Sequence, residues 1–270
     1  ALADVATAIA AEKGVNAPVA GNATAQAQAI AKSLLGGERK AVLLGNAAAH
    51  ASNASSLLAL ANWIAEQTGA TVGYLTEAAN TVGAQWVGAQ PQTGGKNAGQ
   101  MLAGGLKAAI LLNTEPEFDT AAGAAAAQSL GQAEMVVTLS PFKANMAFSD
   151  VLLPIAPFTE TSGSFVNAEG RLQSFHAVVK PLAETRPAWK VLRVLANLLE
   201  IPGVSFETSQ DVLARATAKP MSASNATRAA ITLTATTTAP VSASIYQLDG
   251  IVRRAPSLQL TADARQEVTA

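Results

Sequence analysis

Ser149-Asp-Val-Leu-Leu-Pro154, Ile155-Ala-Pro-Phe-Thr-Glu160, Thr161-Ser-Gly-Ser-Phe-Val-Asn167 and Ala168-Glu-Gly-Arg-Leu-Gln173 form one unbroken stretch. Its apolar start reads as a buried strand, which Pro154 stops because proline brings no N–H to a ladder. The chain then enters a polar loop, where Gly163 and Gly170 are expected to supply tight backbone turns. Glu160, Asn167, Glu169, Arg171 and Gln173 crowd donors and acceptors into a short irregular segment. There they can satisfy one another and the loop backbone. The same crowding at the carboxyl end of a strand also suits a ligand, so residue chemistry alone leaves both readings open.

Working upstream, short apolar runs alternate with helix-like segments. Residues 2–12 and 25–35 have helical composition, and Lys40-Ala-Val-Leu-Leu-Gly45 reads as a buried strand. Leu57, Leu60, Ala61 and Ile64 give the next segment one apolar face, with Ser52 or Asn53 as its cap and Gly69 as its end. Ala70-Thr-Val-Gly-Tyr-Leu75 is a second strand, followed by a glycine-rich loop from Gly83 to Gly99 and a short turn or helix from Met101 to Lys107. Ala108-Ala-Ile-Leu-Leu-Asn113 is a third buried strand, and the acidic loop Glu115-Pro-Glu117 leads to a helix over 120–130 and a strand over 134–139. This alternation predicts an α/β fold built on a mostly parallel, helix-covered sheet.

Downstream, Trp189, Leu192, Leu195, Ala196 and Leu199 share one helical face after Pro187. Thr208 and Asp211 have the spacing of a capping box. Residues 217–244 are rich in alanine, serine and threonine without apolar periodicity and read as a linker or strap. The tail then carries Ile245-Tyr246, Ile251-Val-Arg-Arg254 and Ser257-Leu-Gln-Leu260, expected to dock as an extended segment on this domain or a neighbour. The expected organisation is thus an α/β domain over 1–216, a strap over 217–244 and an irregular extension over 245–270.

Charged residues make up 14% of the 270 and the formal net charge is −1, so there is no basic field to hold nucleic acid or an anionic membrane surface. Low charge with 49% hydrophobic residues suits close-packed helices or a surface covered by other chains. The chain has no cysteine, which excludes disulfides and cysteine-held iron–sulfur clusters within it. No apolar run has the length of a membrane span and no signal-peptide layout opens the chain. It begins at Ala1 without methionine, and further sequence is expected upstream.

Several shorter patterns carry little. Gly94-Gly95-Lys96-Asn97 lacks the Gly-Lys-Ser/Thr ending of a phosphate loop and reads as a surface loop. Leu44-Gly45-Asn46 sits where doubly wound folds bind nucleotides, but no Gly-x-Gly-x-x-Gly follows. His50 and His176 have no metal-ligand spacing around them and read as loop or surface residues. There is no Gly-x-Ser-x-Gly elbow for hydrolase chemistry.

The ordered set Ser149-Asp-Val-Leu-Leu-Pro154, Glu160, Gly163-Ser164, Asn167, Glu169-Gly-Arg171 and Gln173 resembles the signature of molybdopterin oxidoreductases. Pro181, Pro187-Ala-Trp189 and Leu195-Ala196 continue that resemblance. Among its members, Val42 to Asn46, Leu57 to Gly69, Glu77 to Asn80 with Gly83-Ala84, Leu112-Asn-Thr-Glu-Pro-Glu117 and the tail from Ile251 to Ala264 are similar to the large iron–sulfur subunit of bacterial NADH:quinone oxidoreductases, the respiratory complex I enzymes.

The resemblance implies the molybdopterin oxidoreductase type of sheet, kept without its cofactor. Glu160, Gly163, Asn167, Glu169, Gly170 and Arg171 would then be a relic pterin-type loop with a structural role, and no residue is assigned to catalysis or to a metal. It implies no cofactor in this chain, with iron–sulfur clusters in residues upstream of it. Other subunits of the peripheral arm of complex I are the implied partners, on the cytoplasmic face of the bacterial inner membrane. Neither nucleic acid nor direct membrane insertion is expected. The alternative is a fragment of a molybdopterin-dependent enzyme such as a formate dehydrogenase or nitrate reductase, in which Asn167, Glu169 and Arg171 would help hold a pterin. A free-standing nucleotide-binding domain would rest on strand–helix alternation alone.

Overall fold

The computed structural model describes residues 1–221, 231 and 243–266, so the expected strap over 217–244 falls mostly outside the described residues. The chain divides into two compact units: 1–82 with 167–171 and 222–242, and 83–166 with 172–221 and 243–270.

In the first unit, α1 (Leu2–Lys13) and α2 (Ala25–Gly36) are alanine-rich, the composition with the highest helix propensity. Thr24 caps α2 by accepting from the Ala27 N–H. Strand β1 (Ala41–Leu44) leads through the single turn α3 (Asn46–Ala49) into α4 (Ala54–Thr68), which returns the chain to β2 (Thr71–Tyr74). β1 and β2 pair in parallel with Leu44 opposite Tyr74, making a strand–helix–strand unit. Its core is Val5, Ala6, Ala8 and Ile9 of α1, Ala27 and Ala31 of α2, and Leu60 and Ile64 of α4. The small alanines let the helices approach closely around the larger Ile9, Leu60 and Ile64. Asn53 stands at the start of α4 without a side-chain capping bond.

Helix α5 (Thr81–Trp86) carries the chain into the second unit, so the glycine-rich loop begins later than expected. Helix α6 (Ala98–Leu102) opens with a capping box between Asn97 and Gln100. Strand β3 (Ala108–Leu112) is followed by α7 (Pro116–Asp119) and α8 (Ala124–Leu130), then β4 (Met135–Ser140) and β5 (Val151–Pro154). The helix expected over 120–130 is shorter, starting only after Gly123, whose φ of 54° is open to glycine, and the loop expected at Glu115-Pro-Glu117 instead opens α7. The three strands form one parallel sheet in the order β3-β4-β5, with Leu112 opposite Leu139 and Ser140 opposite Pro154.

These strands are expected to be buried, yet only central β4 is buried over most of its length, through Val136, Thr138, Leu139 and Ser140, while β1 buries Leu44 alone. Ile110 of β3 is 57% exposed and Leu43 of β1 is 55% exposed. An apolar run permits burial, but what packs over the strand decides it. The start of β4 is fixed by Asp150, whose carboxylate accepts from the Val136 N–H, and by a Thr138–Ser149 hydroxyl pair at 2.7 Å.

A 3-10 turn at Phe158–Glu160 follows β5, and β6 (Gly163–Val166) pairs antiparallel with β7 (Leu172–Phe175) as a hairpin. Helices α9 (Ala188–Leu198) and α10 (Ser209–Ala216) come next, the latter opened by the expected Thr208–Asp211 capping box. The tail is not extended. It forms α11 (Ile245–Leu248), a 3-10 turn at Val252–Arg254, α12 (Pro256–Gln259) and α13 (Ala262–Gln266). Ser244 caps α11, Pro256 opens α12, and the Asp249 carboxylate accepts from the Ile251 and Val252 N–H groups. These short-range bonds favour turns over an extended chain.

Candidate functional site

The hairpin singled out in the sequence is held mainly by its backbone. The Asn167 side-chain oxygen accepts from the N–H groups of Glu169 (3.1 Å) and Arg171 (2.9 Å). The Asn167 N–H donates to the Arg171 carbonyl, and the Gly170 N–H to the Asn167 carbonyl. Gly170 takes φ 82°, where a side chain would be strained. Gly163 lies inside β6 rather than in a turn. A Cβ there would meet the Phe175 ring at 2.6 Å, so glycine is needed for the close approach of that ring, which also packs edge-on against Phe165 at 5.4 Å.

Asn167, Glu169, Gly170 and Arg171 therefore come together at the hairpin tip, whereas the Glu160 carboxylate accepts from the Leu182 N–H at 3.0 Å. The expectation that these side chains bond to one another is corrected. Among the described residues only Asn167 and Glu160 use their side chains, and both serve backbone N–H groups. The Arg171 and Glu169 side chains are exposed and make no hydrogen bond or ion pair among the described residues.

A different cluster lies at the carboxyl ends of β3, β4 and β5, the edge where open parallel sheets present ligand crevices. Asn113, Glu115 and Asp119 follow β3, Ser140 and Phe142 close β4, and Pro157 and Phe158 follow β5. With Pro141 these line a cavity of about 220 Å³, whose remaining wall is Leu248 to Ile251 and Arg253 of the tail.

Two arginines tie the tail there. Arg254 makes a bidentate pair with Glu115 at 2.7 and 2.9 Å, and its guanidinium lies 4.3 Å from the centre of the Phe142 ring. Arg253 bridges Glu115 at 3.1 Å and Asp119 at 3.2 Å, stacks 4.7 Å from the Phe118 ring, and donates to the Gln247 carbonyl. The side chains of Arg253 and Glu115 are only 14% and 13% exposed. Burial pushes the Glu115 carboxyl up, but the hydrogen bonds and charges of Arg254 and Arg253 outweigh it and hold the carboxyl below its ordinary value of 4.5.

Residue-by-residue reading of the sequence did not find this cluster. Its halves are 138 positions apart, as Glu115 and Arg253 are, and no local spacing encodes that pairing. The available signal was coarser, since both Leu112 to Glu117 and the tail from Ile251 had stood out by resemblance.

His50 Nε2 meets the Glu77 carboxylate at 2.7 Å, both about half exposed, and His176 is exposed. Among the described residues no three potential ligands gather as a metal site, and no helix is long and apolar enough to cross a membrane.

Comparison with known proteins gives local matches to several oxidoreductases. A Staphylococcus aureus (strain bovine RF122 / ET3-1) protein, named by inference as a formate dehydrogenase, is 44% identical over 52 residues, 19% of this chain and 5% of that protein. YjgC of Bacillus subtilis (strain 168), named by inference as an oxidoreductase, is 38% identical over 69 residues, 26% of this chain and 7% of its own. The mitochondrial 78 kDa subunit of NADH-ubiquinone oxidoreductase from Candida albicans is 43% identical over 53 residues, 20% of this chain and 7% of the subunit. Each match spans only a small part of these relatives. The sequence profile of the molybdopterin oxidoreductases, by contrast, matches residues 14–198, more than half of the chain, together with the parallel α/β architecture that the family reading predicts. This chain belongs to the molybdopterin oxidoreductase family.

Proposed function

We propose that the chain is a structural, non-catalytic part of the iron–sulfur subunit of an NADH:quinone oxidoreductase. In this reading it braces electron transfer from NADH to quinone, coupled to proton translocation, while the iron–sulfur clusters sit in other residues of the parent subunit. Its partners are the neighbouring subunits of the peripheral arm, on the cytoplasmic face of the inner membrane. The observation that carries the reading is the docked tail. Leu112 to Glu117 and Ile251 to Ala264 each resemble that subunit, and they are bonded through Glu115 to Arg253 and Arg254.

The same docking bears on the cofactor that the family name implies. The tail fills the crevice at the strand ends, and about 220 Å³ remains. That is below the roughly 300–1,000 Å³ of ordinary small-molecule pockets, which supports the reading that no molybdopterin is held there beside the tail. The hairpin tip offers Arg171 and Glu169 as exposed side chains. Exposed apolar residues such as Val178 (82%), Leu198 (76%) and Leu182 (74%) favour a surface covered by other chains.

The local identity to a protein named for formate dehydrogenase activity favours the second reading, a fragment of a molybdopterin-dependent enzyme. Purification of the parent polypeptide from its native membrane separates the two. Recovery with the NADH-binding subunits and without stoichiometric molybdenum or tungsten is the expected result. Stoichiometric molybdenum or tungsten without those subunits would overturn it.

A further inference from the structure

We infer that the turn following β3 is a preformed guanidinium-binding site, and that the chain fills it with its own Arg253. This does not depend on which oxidoreductase holds the chain.

The acceptors are positioned by the turn itself. One Asp119 carboxylate oxygen is held by the Glu115 N–H at 2.7 Å and the Thr114 hydroxyl at 3.2 Å, leaving the other free for Arg253. Glu115 opens α7 and Phe118 lies within it, so two carboxylates and an aromatic face belong to one short segment. A guanidinium has a planar fork of donors with a cationic face, and this segment offers acceptors at the edge and a ring beneath.

Arg253 meets all of them, whereas an ammonium has three donors but neither the planar fork nor a flat cationic face to lay on the ring while reaching both carboxylates. The Arg253 Nε is buried without a hydrogen-bond partner among the described residues. That places the specificity in the terminal fork rather than along the stem. Arg254 is more exposed, at 33%, and engages Glu115 alone among the acids.

The test is chemical rescue in the full chain. Arg253→Ala should raise hydrogen exchange of tail amides 245–260 at least about tenfold while β4 stays protected, as for release of one cooperative segment. Millimolar ethylguanidinium should then bind the variant and restore tail protection, whereas ethylammonium should not. The wild-type chain should bind neither. Arg253→Lys keeps the charge and removes the fork, so its tail should exchange faster than wild type; it also serves if the alanine variant fails to fold. Wild-type protection in the lysine variant, equal effects of the two cations, or no binding of ethylguanidinium to a folded alanine variant would each overturn the inference.

Discussion

The hairpin tip around Asn167 and the acidic turn around Glu115 both gather polar residues beside glycine- and proline-bearing chain, yet they are built differently. At the tip, one side-chain oxygen serves two nearby N–H groups, and the charged side chains of Glu169 and Arg171 reach no partner among the described residues. At the turn, two carboxylates hold two arginines from the far end of the sequence, with aromatic rings against both guanidinium groups. Polar crowding in a sequence therefore does not by itself mark a site. What separates the two is whether side chains converge on one another across long sequence distance, with enough burial to make the contacts matter.

The largest way to break this contrast is Glu115→Ala. It leaves Arg253 poorly paired and half its anchoring lost, at a cost of about 3 kcal/mol, the lower end for breaking a buried pair because Arg254 stays one-third exposed. Hydrogen exchange should show the tail from Ile245 to Gln259 released with β4 intact. An unchanged tail would mean that the ion pairs contribute little.

Acid probes the same contact without mutation. Glu115 has a depressed folded-state value, so its contribution is present above the ordinary 4.5 and is lost as pH falls through the lower folded value. Amide resonances of the tail, titrated downward through the carboxylate range, should therefore hold their docked positions past 4.5 and lose them only below it. Release beginning above that value would contradict the assignment.

At the hairpin, Asn167→Ala removes the acceptor of two exposed N–H groups that water can partly replace. The expected loss is about 1 kcal/mol, confined to residues 163–175 and visible as faster exchange there. Arg171→Ala should be smaller still, below about 0.5 kcal/mol in thermal unfolding of the chain alone, as for surface substitutions away from specific contacts. A larger loss would reveal a partner for Arg171 outside the described residues.

The α/β alternation was readable because each strand–helix unit is local. Lys40 to Gly69 carries an apolar run, an apolar helical face and a terminating glycine in sequence, and the Thr208–Asp211 box sits three residues apart. Which strand is central was not readable. Ala108 to Leu112 and Met135 to Ser140 have similar apolar content, and only their neighbours distinguish an exposed Ile110 from a buried Leu139. Gly163 looked like a turn because its real constraint, the ring of Phe175, stands on the partner strand. The arginine cluster was hidden for the same reason at greater range: two halves with ordinary local composition acquire meaning only when the fold joins them.

The stitch between Glu115 and Arg253 also orders events in time. During synthesis the ribosome releases β3, β4 and β5 well before the two arginines emerge, so the nascent second unit waits with its acidic turn unmatched. Closing so distant a contact is slow relative to neighbouring turns, and interrupted translation would leave a product whose last fastening never forms.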